Sequence, residues 1–172
     1  MAWQQLSLQV YRRSLTYSNQ NGFITTYPGR TFAEVLRAAL DVFVLPSEDK
    51  ELIYDLLVSR EKLMTTAVGD GLAIPHLRVP VVINVPRPVL SIFFTAEPID
   101  MKALDGMPVH TLFLLLSLAP KQHLELLARL SFLFRQPEFV KLLRERAKPE
   151  TLVEWVQHAA PKSRNSNEKP RR

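Results

Sequence analysis

Arg60-Glu61-Lys62-Leu63-Met64-Thr65-Thr66-Ala67-Val68-Gly69-Asp70-Gly71-Leu72-Ala73-Ile74-Pro75-His76 is the stretch on which the reading of this chain depends. Before it, apolar residues recur at helical spacing; after it they come in short continuous runs, the pattern of buried strands. The stretch itself holds two glycines, an apolar Leu-Ala-Ile run and a proline, and it ends on a titratable imidazole. A plain loop does not need that arrangement. A site that presents one imidazole to an incoming anion does, and Arg60 stands upstream as a permanent positive charge.

Working outward toward the N-terminus, Leu52, Leu56 and Leu63 mark a helix that ends near Lys62. Ser47 is its expected cap, and Glu48 and Asp49 lie where the helix dipole favours acids. Pro46 closes a preceding helix that Thr31 caps and that runs to about Leu45, with Phe32, Val35, Leu36, Ala39, Leu40 and Phe43 on one face. Gly22-Phe23-Ile24-Thr25-Thr26-Tyr27 reads as a strand closed by Pro28-Gly29. Residues 1–22 read as an irregular lead-in.

Toward the C-terminus, Leu72–Ile74, Val89–Thr95 and Val109–Leu116 are short apolar runs flanked by Pro or Gly, hence strands, and Asp105-Gly106 signals a turn. Helical period returns at Pro120, suited to a first helical position, with Leu124, Leu127, Ala128, Leu130, Ser131 and Phe134 along one face. Gln136-Pro137 breaks that helix, and Phe139–Arg146 and Glu150–His158 follow as two more. This order predicts a single α+β domain over residues 23–160, with helices packed on a mixed sheet.

The chain has 172 residues, 47% of them hydrophobic, enough for one sizeable core. It has no cysteine, which excludes disulfides and thiolate metal sites and fits a reducing compartment. The formal charge of +5 suggests nucleic acid at first sight. Most of it sits in Lys162, Arg164, Lys169, Arg171 and Arg172, which read as a disordered basic tail on a near-neutral body, so no nucleic-acid partner is expected. No secretory segment is visible in residues 1–10, and the most apolar run, Thr111–Ala119, falls short of the roughly 20 residues a membrane span needs. A soluble, cytoplasmic protein without membrane insertion is expected.

Four histidines carry the candidate chemistry. His158 belongs to the exposed last helix and reads as inert, and His110 in its strand reads as a satisfied packing residue. His123 falls in the first turn of a helix, and His76 closes the glycine-containing stretch. Their spacing offers no local metal-binding pair, so no metal and no cofactor is expected. Neutral imidazole is nucleophilic and can hold a phosphoryl group on nitrogen. Such transfer needs positioning and positive groups around the phosphoryl oxygens. Arg60 supplies a guanidinium, and His123 a second imidazole near a helix N-terminus. Gly69 and Gly71 would let the backbone approach the site, and Thr65 and Thr66 would offer hydroxyls.

The run from Glu61 through Val68-Gly69-Asp70-Gly71-Leu72-Ala73-Ile74-Pro75-His76 resembles the active-site signature of enzyme IIA domains of the fructose/mannitol/nitrogen-related type, from the bacterial phosphoenolpyruvate-dependent phosphotransferase system. The resemblance extends through Leu104-Asp105-Gly106-Met107-Pro108-Val109-His110 and Ala119-Pro120-Lys121-Gln122-His123-Leu124. It implies a phosphohistidine at His76, charged by a small histidine phosphocarrier protein that docks on an apolar surface around the site. Arg60 and His123 fall where the family places its phosphate-stabilising arginine and second histidine. The implied fold is a mixed sheet between helical layers, a three-layer α/β/α arrangement. The chain departs from the family in having Leu77 where a small residue follows the active histidine, in its N-terminal stretch 1–30, and in a shorter loop before His123. A domain without fused IIB or IIC partners looks most like the nitrogen-regulatory branch, which signals to a regulatory target protein by its phosphorylation state. A sugar-specific IIA relaying phosphate to a separate IIB domain is the alternative. So is a protein-binding module that is not phosphorylated.

Overall fold

The computed structural model describes residues 26–41, 43, 45–77, 89–116 and 119–159. The expected lead-in and basic tail lie outside the described residues, as do positions 22–25 of the first expected strand. In chain order the elements are β1 (Thr26–Tyr27), α1 (Phe32–Asp41), α2 (Ser47–Leu63), β2 (Ala67–Gly69), β3 (Leu72–Ala73), β4 (Val89–Ile99), β5 (Val109–Leu116), α3 (Pro120–Phe134), α4 (Pro137–Arg144) and α5 (Pro149–Ala159).

Among the described residues the sheet runs β1-β4-β5-β3-β2. β1 pairs parallel with β4 and β3 parallel with β5, while β4–β5 and β2–β3 are antiparallel. The continuous apolar runs of β4 and β5 follow from burial on both faces. On β5, Leu112, Leu114 and Leu116 point to one core, shared with Val35, Leu36, Leu40, Ile53 and Leu57 of α1 and α2. Phe113 and Leu115 point to the other, shared with Leu126, Leu130 and Leu133 of α3 and with residues of α4 and α5. The alternation produces the three-layer arrangement of helices on both faces of a mixed sheet, as expected.

Local chemistry sets the helix ends. Thr31 accepts the Glu34 amide on Oγ1 at 3.3 Å, while Glu34 reaches back to the Arg30 amide at 2.7 Å, a cap close to the reciprocal box. α1 stops at Asp41 rather than near Leu45. Val42, Phe43 and Val44 are poor helix formers, and a residue before proline is disfavoured in the helical region. Ser47 is not the cap of α2: the cap position is Pro46, without a side-chain bond, and Ser47 is the first helical residue.

Two expected faces are also corrected. α2 buries Ile53 and Leu57 and leaves Leu52, Leu56 and Leu63 exposed, because apolar residues occur on both of its sides. α3 buries Leu126, Leu130 and Leu133, whereas Leu124 is 66% exposed. Arg37 lies 3.6 Å over the Tyr54 ring and pairs with Glu51, cross-linking α1 and α2 on their outer side.

Candidate functional site

β3 and β5 are parallel, so both chains leave the sheet at the same edge, and the connection from β5 delivers α3 there. Past β3 the chain stays extended, and His76 bridges in parallel to Leu115. Side chains on such a segment alternate between faces. Leu72 and Ile74 belong to the α3-side core, and His76 continues their face. Its ring therefore meets the first turn of α3, and the His76 and His123 ring centroids lie 5.2 Å apart.

The same alternation turns Leu77 inward. It is 7% exposed and packs with Ala73 in the α1/α2 core. The residue that departs from the family pattern is thus turned into the core and not exposed on the surface beside His76.

His76 is half-buried, and its Nδ1 lies 2.7 Å from the Ile74 carbonyl. A carbonyl only accepts, so Nδ1 carries the hydrogen, and in the neutral ring Nε2 is the nitrogen that keeps its lone pair. Burial, then the proximity of His76, hold the His123 imidazole below its usual pKa, so it is neutral near pH 7 in this state. α3 begins at Ala119-Pro120 with no side-chain cap and no acid in its first turn, which leaves its positive end open to an anion.

The other expected site residues stand on two segments, the end of α2 with the loop after it and the β2–β3 turn. Arg60 stands in the last turn of α2, and among the described residues its guanidinium donates to the Met64 carbonyl at 2.6 Å. Among the described residues it makes no hydrogen bond to His76, and the bond to Met64 uses one of its five donors. Thr65 accepts the Ala67 amide on its hydroxyl at 3.1 Å. Thr66 is buried and donates its hydroxyl to Glu61 at 2.6 Å, so that hydroxyl braces the loop.

Gly69 and Gly71 are not beside His76. Gly69 precedes, and Gly71 completes, the two-residue turn Asp70-Gly71 that joins β2 to β3, with positive φ at Gly69 (98°), Asp70 (54°) and Gly71 (72°). Five residues of extended chain put Gly71 about 16 Å from His76, at the opposite end of β3. The glycines serve a tight hairpin, and Asp-Gly between apolar residues is the local signal for one. The Asp70 amide donates to Asp105 at 2.8 Å, so the Asp105-Gly106 turn braces this hairpin.

His110 packs under Gly71. Its Nδ1 meets the Thr111 hydroxyl at 2.7 Å, but Nε2 is buried with no partner among the described residues, so it is not the fully satisfied packing histidine expected. Burial first, then Arg144, lowers its pKa; Arg146 lowers it further and Asp70 opposes. The unfolded chain therefore binds a proton below the usual 6.5 that the native state refuses. Stability from this group is complete above that value and falls as the pH drops through the folded pKa. Thermal melts of wild type and His110→Asn should diverge on acidification, with wild type losing more; parallel pH profiles would refute this. His158 is exposed and bonds within its own helix to Glu154.

Among the described residues, no group of three or more His, Asp or Glu could hold a metal ion, and no helix is long and apolar enough to cross a membrane.

Residues 21–159 match the family described as phosphoenolpyruvate-dependent sugar phosphotransferase system, EIIA 2. The chain is 34% identical over 137 residues to the Nitrogen regulatory protein of Pseudomonas aeruginosa, covering 77% of this chain and 87% of that one. It is 31% identical over 110 residues to the PTS system fructose-specific EIIABC component of Bacillus subtilis, covering 63% of this chain and 17% of that one. The crystal structure of Nitrogen Regulatory Protein IIA-Ntr from Neisseria meningitidis is similar with a TM-score of 0.62 at 28% identity, covering 76% of this chain and 91% of that one.

Proposed function

This chain belongs to the EIIA 2 family of the phosphoenolpyruvate-dependent sugar phosphotransferase system, and from that membership we propose that it accepts a phosphoryl group on His76 Nε2 from a histidine phosphocarrier protein. Its phosphorylation state then governs which protein it binds. The observation that carries the reading is the Nδ1–Ile74 contact, which leaves Nε2 as the nucleophile. In the transfer, the Nε2 lone pair attacks the phosphorus of the donor's phosphohistidine. The donor's P–N bond breaks, and its electron pair returns to the donor imidazole, with no net proton consumed. His123, the α3 terminus and a re-aimed Arg60 guanidinium act on the phosphoryl oxygens.

Exposed Leu63, Met64 and Leu124 adjoin these residues in sequence and supply the apolar rim on which a carrier docks. A phosphoryl group adds negative charge and acceptor oxygens at that rim, enough to change which partner face fits. The nitrogen-regulatory reading is favoured over sugar relay because the match to the Pseudomonas protein spans most of both chains. The binding-module alternative rested on Leu77, which is buried.

Incubation with phosphoenolpyruvate, its kinase and a histidine phosphocarrier should yield an acid-labile, alkali-stable phosphate. Arg60→Ala and His123→Ala should each slow transfer by about 10²-fold, the scale of losing one oxyanion donor. Unchanged rates would remove their assigned roles, and rapid, sugar-specific transfer to an isolated IIB domain would reverse the preference for regulation.

A further inference from the structure

Glu61 stands one residue after Arg60, and among the described residues its carboxylate bonds to Thr66 alone. The Thr66 amide is shared between its two oxygens at 2.9 and 3.0 Å, and the Thr66 hydroxyl donates to Oε2 at 2.6 Å. Thr66 is buried, and its carbonyl accepts the Ile74 amide at 3.0 Å. The Ile74 carbonyl in turn holds His76 Nδ1 at 2.7 Å. On the far side, Pro75 accepts the Leu115 amide at 2.9 Å, tying the segment to β5. Three consecutive links thus run from the end of α2 to the proton-bearing nitrogen of the proposed nucleophile: Glu61 to Thr66, Thr66 to Ile74, and Ile74 to His76.

We propose that Glu61 is a positioning residue for His76: through Thr66 and Ile74 it holds the Ile74 carbonyl where that oxygen captures the Nδ1 hydrogen, so that Nε2 faces the donor unprotonated. This rests on the phosphohistidine reading of His76. The chemistry asks for a carboxylate at position 61. Two donors of one residue converge on it, and an ionised acceptor holds them with shorter, stronger bonds than a neutral one. The chain leaves α2 at Met64 in extended conformation, with φ of −166°, so the residues that turn it back toward the sheet have no helical bonds to hold them. Glu61 makes the connection between the helix end and Thr66. Which imidazole nitrogen carries the hydrogen follows from the hydrogen bond the ring makes, so an orienting group that acts through two intermediate residues still controls the nucleophile.

The test uses the full chain and two readouts. Imidazole ¹⁵N shifts at about pH 8, above the usual histidine titration, report the tautomer without any phosphorylation. Phosphoramidate, a small phosphoryl donor that needs no docking partner, reports the rate of acceptance. Wild type should show His76 as the Nδ1–H tautomer. Glu61→Ala should mix the two tautomers and slow acceptance about 10- to 100-fold, the range seen when orienting partners of functional histidines are lost. Glu61→Gln, which keeps one accepting oxygen for the Thr66 amide but loses the charge and the second acceptor, should fall between wild type and Glu61→Ala on both readouts. If Glu61→Ala does not fold, Thr66→Val, which deletes only the hydroxyl link, takes its place and should shift both readouts in the same direction. A folded Glu61→Ala with the wild-type tautomer and rate overturns the proposal. Wild type that takes no phosphoryl group overturns the phosphohistidine reading instead, and the tautomer measurement still decides the role of Glu61.

Discussion

His76→Ala should abolish phosphoryl acceptance altogether, leaving no acid-labile phosphate after incubation with the phosphocarrier system, while the folded chain persists. The chemistry has one nucleophile, and removing it cannot be offset by better positioning of the rest. His123 lies near, but it sits within α3 and its assigned contact is with the phosphoryl oxygens. The fold should survive because His76 is only half-buried and the strand around it is held by backbone bonds, among them Leu115 N–H to the Pro75 carbonyl. The expected stability change is within about 1 kcal/mol, typical of substitutions away from a packed core. Labelled His76→Ala would move the phosphoryl site elsewhere and sink the assignment.

The second large effect is on stability. Gly71→Val should cost about 2–6 kcal/mol, combining left-handed backbone strain with overpacking of roughly 1–3 kcal/mol each. Gly71 has φ of +72°, and a Cβ there would run into His110 Cδ2 and lie 2.7 Å from Nε2, with the Pro108 carbonyl at 3.2 Å. Gly106 provides the comparison. Its φ is +70°, yet a Cβ would meet nothing within 4 Å, so Gly106→Val should carry the strain alone. Urea unfolding of both variants separates the two causes. Equal losses would show that the closeness of the His110 ring is unimportant. Since whole domains are stable by only about 5–15 kcal/mol, the Gly71 variant should also express poorly.

Much of the fold can be read locally. β5 occupies Val109–Leu116 as its apolar run implies, α3 starts at Pro120, and the Gln136-Pro137 break separates α3 from α4. The face that α1 buries was equally plain, because its apolar residues lie on one side. α2 was not readable in this way. Leu52 and Leu56 are as apolar as Ile53 and Leu57, and only the position of the sheet selects the second pair. β2 was missed because three residues of mixed character carry too little pattern, although Asp70-Gly71 held the hairpin signal.

The site divides in the same way. The sequence alone determined that His76 is the residue to watch, since imidazole, proline and glycines stand in one contiguous run whose chemistry needs no distant partner to be recognised. It also placed His123 in the first turn of a helix. Only the tertiary structure decided that these two rings meet, that Leu77 turns into the core, that the glycines lie far from His76, and that hydrogen bonds through Thr66 and Ile74 link Glu61 to His76. Each of those facts depends on strand parity and on which strands pair in parallel. The alternation of an extended chain tells which residues share a face, but not which face is covered by α3. That choice is made when both cores close around the sheet.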